Sequence, residues 1–194
     1  MQTAFPGNMV RVKKRWNRQS GSRTLAQMAN AIGATIWKLA ANAVLNLENE
    51  NFETETQVQR IEIMEEIVCY LVHISDRFVY TRANQDQRSE FISALAADMA
   101  RMLEDSRVDV QGAGEYRTAF IDKLNRRSTD YSGFGYSDEE GAGFALRCRL
   151  GDRVQSTMGA RDNRWIPDYV VGREAPEMEA ALKRSLLGLV VFDS

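Results

Sequence analysis

Residues 56–81, TQVQRIEIMEEIVCYLVHISDRFVYT, decide the fold. Val58, Ile61, Met64, Val68, Leu71, Val72, Ser75 and Phe78 recur at three- and four-residue steps, the stripe of an amphipathic helix. Between Ile67 and Ile74 nearly every position is apolar, so that stretch has no side to give to water and belongs at the centre of a helical assembly. A short buried strand is the competing reading, but the helical period continues on both sides of the run.

The neighbouring segments repeat the pattern. Thr24 to Leu47 carries Leu25, Met28, Ala29, Ile32, Ile36, Leu39, Ala40, Ala43 and Val44 on one face, with Ser22 or Thr24 as its cap. A third helix is predicted from Asp86 to about Ser106 and a fourth from Glu115 to Arg127, joined through Val108 to Gly114 with its two glycines. Ser128 to Gly143 reads as a loop pinned by Tyr131, Phe134 and Tyr136, and Phe144 to Met158 reads as a fifth helix. Pro176 is expected to open the last helix, through Met178, Leu182, Leu186, Leu189 and Val190.

Of the three prolines, Pro6 and Pro167 bracket a long proline-free interval, which permits long helices. No repeat, sustained strand alternation or low-complexity tract intervenes. The expected class is all-α: an antiparallel helical bundle or an irregular helical array of five to seven helices. The expected organisation is a basic N-terminal arm over residues 1–22 and a single helical domain over 23–194.

With 194 residues the chain buries a core without staples. Cys69 and Cys148 sit in apolar helical patterns and read as reduced, buried thiols, which with the absence of a secretory signal or a membrane span predicts a cytoplasmic protein. Charge is unevenly placed. Residues 1–47 contain no acid and carry Arg11, Lys13, Lys14, Arg15, Arg18, Arg23 and Lys38, whereas residues 48–66 carry Glu48, Glu50, Glu53, Glu55, Glu62, Glu65 and Glu66 against Arg60 alone.

Four features bear on function. Glu62, Glu66, Cys69, His73, Asp76 and Tyr80 follow one another at steps of three and four and share one helix stripe. His73, the chain's one histidine, is a candidate base oriented by Asp76 with Tyr80 nearby, or a ligand beside Glu66 and Cys69. A histidine packed between helices outranks both, because bundle metal sites need paired Glu-x-x-His motifs and zinc sites more His and Cys than remain, so no metal or cofactor is expected. Phosphate loops and serine-nucleophile motifs are missing from the sequence.

The second feature is Arg11, Lys13, Lys14, Arg15, Trp16 and Arg18, a basic cluster with an aromatic that suits phosphates and bases. Pairing with the glutamates of residues 48–66, within the chain or across a symmetric partner, ranks ahead of nucleic acid. The third is Arg161, Arg164, Trp165 and Tyr169, an anion pocket or, preferred, an aromatic plug at the end of the bundle. The fourth is the first helix, whose alanines, Gly33 and the off-stripe Trp37 leave an apolar edge for self-association. The leading expectation is a non-enzymatic domain acting through protein association as a homo-oligomer. Behind it stand a small-ligand binder or enzyme with a site around His73, then a nucleic-acid-associated protein using the arm.

Overall fold

A computed structural model describes residues 23–158 and 163–192. The chain runs α1 (Leu25–Asn49), α2 (Gln57–Tyr80), α3 (Gln85–Gln111), α4 (Tyr116–Ser132), a two-stranded hairpin of β1 (Tyr136–Ser137) and β2 (Gly141–Ala142), then α5 (Phe144–Thr157). After a 3-10 turn over Asn163–Trp165 come α6 (Ile166–Tyr169), a π-helical turn over Val170–Glu174, and α7 (Ala175–Leu189). The class is an all-α helical array, and the hairpin is its only sheet among the described residues.

The array is organised around α2, which touches α1, α3, α4, α5 and α7. Every residue from Glu65 to Ser75 is buried, as the apolar run at 67–74 requires. Local signals start the helices where expected. Thr24 and Gln27 form a reciprocal capping box on α1, Asn84 and Gln87 do the same on α3, and Thr56 caps α2.

Several of the small residues of α1, though not the exposed Ala26 and Ala34, pack inside the chain. A Cβ on Gly33 would meet Asp98 Oδ2 at 2.6 Å and Met99 Cε at 2.9 Å, so glycine there lets α1 and α3 approach closely. Ala29, Ile32, Ile36, Ala40 and Ala43 are fully buried, and Trp37 is half-buried against the same core. The outward row of α1 is Ala26, Asn30, Ala34, Lys38, Asn42 and Leu45, in which Leu45 is the one large apolar side chain.

Three boundaries differ from the sequence expectation. First, α3 continues through Val108 and Val110 to Gln111 and stops at Gly112, whose φ of 81° suits glycine, so the link to α4 is shorter than Val108 to Gly114. Second, α4 extends to Ser132, because Tyr131 on its inner face is fully buried against Tyr70 and His73. The remainder of the expected loop is the hairpin, held by Arg82 and Thr81 on Asp138 and by Lys183 on the Asp138 carbonyl.

Third, Pro176 lies in the first turn of the last helix, as expected, but the chain is already helical ahead of it. Pro167 occupies the first turn of α6, and helical backbone passes through the π turn into α7. Proline at 176 cannot donate to the carbonyl four residues back and crowds it, and the wider turn just before it absorbs that mismatch. Of the thiols, Cys69 is buried and Cys148 only half-buried. No helix among the described residues is long and apolar enough to cross a membrane.

Candidate functional site

The α2 stripe faces α3 and α4, and each of its acids meets a cation there. Glu66 accepts from Arg127 at 2.7 and 2.8 Å and pairs with Lys123 at 2.9 Å. Glu65 accepts from Arg107 and Lys123, and Arg107 lies 3.9 Å from Glu62. Burial alone would push the Glu66 carboxyl up, but its hydrogen bonds from Arg127 and the charge of Lys123 outweigh that and hold it below the ordinary value. Glu65 and Glu66 are thus held in close ion pairs, whereas Glu62 is 44% exposed and only loosely paired.

Cys69 beneath them is inert. Burial drives its thiol far up, with Glu66 adding to the shift, so no thiolate forms at neutral pH and a Cys69–His73 nucleophile pair is excluded. Asp76 is likewise committed elsewhere: Arg88 of α3 grips both of its oxygens at 2.7 Å. Arg88 also lies 5.0 Å from the ring of Tyr80, which is 63% exposed and stands outside the array. The structure therefore keeps His73 and Asp76 close in space without joining them as a base and its orienter.

His73 is 4% exposed, and its imidazole sits 5.5 Å from the Tyr131 ring. Burial lowers its pKa to about 4, Arg77 contributing in the same sense and Asp76 partly opposing, so the ring is neutral at pH 7. Its Nε2 is buried with no hydrogen-bond partner.

The same residue lines a cleft of about 340 Å³ between α2, α3 and α4. Val72, Ile92, Ala96 and Leu124 give the cleft its apolar surface. Around them α3 presents Gln85, Ser89 and Ser93 at four-residue steps, and α4 presents Asn125 and Ser128. Sequence reasoning missed these five residues. Each looks like an ordinary solvent-facing position in its own helix, and only the 85–89–93 spacing opposite Phe91, Leu95 and Met99 hints at a shared polar row.

A second polar cluster was also missed. Glu179 of α7, 7% exposed, accepts from Tyr70 at 2.5 Å, from Arg147 at 2.9 Å through both oxygens, and from the Ala142 amide at 3.3 Å. Burial and this carboxylate push the Tyr70 phenol far up. With both oxygens engaged, the cluster ties the hairpin and α5 to α2 and α7 and offers no free group to a ligand.

Of the other candidates, the structure describes Arg164, Trp165 and Tyr169. Trp165 is 56% exposed with Arg164 over its ring at 4.7 Å, so it does not plug the bundle. Tyr169 is half-buried against Phe52. Arg161 lies outside the described residues, as do Arg11, Lys13, Lys14, Arg15, Trp16 and Arg18 of the arm. No protein-family model, curated protein or solved structure matches the chain.

Proposed function

We propose that this domain binds a small molecule in the cleft between α2, α3 and α4 and performs no chemistry on it. One observation carries the reading: His73, whose buried Nε2 has no hydrogen-bond partner, lines an open cleft to which α3 and α4 bring neutral polar side chains. An unpaired buried polar group costs about 1–3 kcal/mol, a cost removed when a small shift of the ring lets a ligand's hydrogen-bonding group reach it. Pockets that combine apolar surface with a few converging polar groups are where small ligands settle.

Binding fits better than catalysis for two reasons. A base with a pKa of about 4 has little driving force to take a proton at neutral pH. The charge of Asp76, which an orienting partner would need, is spent on Arg88. Because the chain has a single histidine, its imidazole NMR resonances report the cleft without mutagenesis. Screening a fragment set should displace those resonances for some members, and the same members should lose affinity for a Ser89→Val, Asn125→Leu variant that still folds. If no fragment moves the imidazole signals, the reading is wrong.

Protein association through α1 is the competing reading, with thinner support, since Gly33 is taken up by α3 and Asn30, Lys38 and Asn42 interrupt the exposed Ala26, Ala34 and Leu45 of its outward row. Sedimentation at two concentrations separates the two. A dimer that a Leu45→Glu change dissolves would favour association.

A further inference from the structure

Resting on the cleft reading above, we infer that the ligand is an uncharged, hydroxyl-rich molecule of monosaccharide size, held by hydrogen bonds rather than by charge or ring stacking. The first argument is charge closure. Asp76 and Arg88, the only ionised side chains among the described residues that line the cleft, grip each other through two hydrogen bonds of 2.7 Å. The pair sums to no net charge, so a carboxylate, phosphate or ammonium entering the cleft gives up its hydration without meeting an uncompensated counter-charge, whereas a neutral ligand incurs no such desolvation cost.

The second argument is the kind of hydrogen bonding on offer. Ser89, Ser93 and Ser128 each donate and accept through one hydroxyl, and Gln85 and Asn125 each carry a donor and an acceptor group. Hydroxyls of a polyol have the same dual character and can satisfy such a set in either direction. A carboxylate or an ammonium uses only one half of that dual capacity, and hydroxyls use both.

The third argument is what the walls omit. Among the described residues the lining contains no Phe, Tyr or Trp on which a flat heterocycle could stack, while Val72, Ile92, Ala96 and Leu124 provide a surface for the C–H face of a saturated ring. A cleft of about 340 Å³ also falls at the lower end of the range for small-ligand pockets, which suits a molecule of this size.

The test uses matched probes on the full chain, read by the His73 imidazole resonances. Glucose, galactose and myo-inositol form the neutral set. Glucuronate, galacturonate and glucosamine repeat two of those shapes with a charge, and adenosine and nicotinamide supply aromatic rings. At least one neutral polyol should bind with a dissociation constant of about 1 mM or tighter, roughly tenfold better than its charged counterpart. Ser93→Val and Asn125→Leu should each weaken that binding with no change in thermal midpoint. Equal or better binding of the charged sugars, or binding of the aromatic probes alone, overturns the polyol assignment and leaves the cleft standing as a ligand site. If no probe in any set perturbs His73, both the assignment and the cleft reading fall.

Discussion

Replacing His73 by Phe should remove a specific part of the protein's acid sensitivity. Burial lowers the imidazole pKa from an ordinary 6.5 to about 4, so in acid the unfolded chain binds a proton that the folded chain refuses. Stability from this source is fully present above pH 6.5 and is lost as pH falls through the folded value near 4. The gap of about 2.5 units corresponds to roughly 3 kcal/mol at its limit, of which about 2 kcal/mol has gone by pH 5. Urea denaturation of wild type and His73→Phe at pH 7.5 and pH 5 measures this. Other groups, Glu66 and Asp130 among them, titrate in both proteins and cancel. Wild type should lose about 2 kcal/mol more than the variant between the two pH values. Direct titration of the single imidazole should give a midpoint near 4. A midpoint near 6.5, or equal losses in the two proteins, would refute the claim that the ring is desolvated, and with it the description of the site.

Other expectations follow from the same contacts. Arg127→Leu strips Glu66 of its bidentate partner and should destabilise the protein by about 3–5 kcal/mol in chemical denaturation, with Glu66→Gln in the same background recovering a substantial part; no recovery would mean the loss is packing, not charge. Gly33→Val should cost about 1–3 kcal/mol by separating α1 from α3, whereas Ala34→Val, on the outward row, should stay within about 0.5 kcal/mol; similar costs at both positions would contradict the close approach. In the native protein a thiol reagent should modify half-buried Cys148 well before Cys69, which should react only at the rate of unfolding; peptide mapping of the labelled chain decides it.

Much of the fold was legible because it rests on signals within single segments. The run at 67–74 says that α2 is surrounded, and it is buried from Glu65 to Ser75. Thr24 announces the start of α1, and the glycine at 112 marks the stop of α3. Boundaries failed where a distant partner overrode local composition. Serine and glycine around residues 128–135 argue for a loop, but burying Tyr131 against α2 carries α4 one turn further. Pro176 marks the first turn of α7, but it does not announce the helical backbone ahead of it: packing against α5 keeps the chain helical from Ile166 through a π turn, and Gly151, where a Cβ would lie 3.1 Å from Pro167 Cα, makes that contact possible.

The site was legible only by its α2 half. Spacing placed His73, Asp76 and the acids on one stripe, and that stripe does face its neighbours. It could not reveal that Arg88 would take Asp76, or that Ser89, Ser93, Asn125 and Ser128 would stand opposite His73, because those relations cross between helices. The same blindness governed the charge asymmetry. The glutamates of residues 48–66 look, in sequence, like counter-charges waiting for the basic arm. In the fold Glu48 takes Arg60, Glu50 takes Arg173, Glu65 takes Arg107 and Lys123, and Glu66 takes Lys123 and Arg127. Neutralising those four acids requires nothing from residues 11–18. Truncating residues 1–21 tests the pairing of the arm with its own chain: because those four acids already have cations inside the fold, the unfolding free energy should change by no more than about 0.5 kcal/mol, and a loss above about 2 kcal/mol would show that the arm closes a stabilising pair.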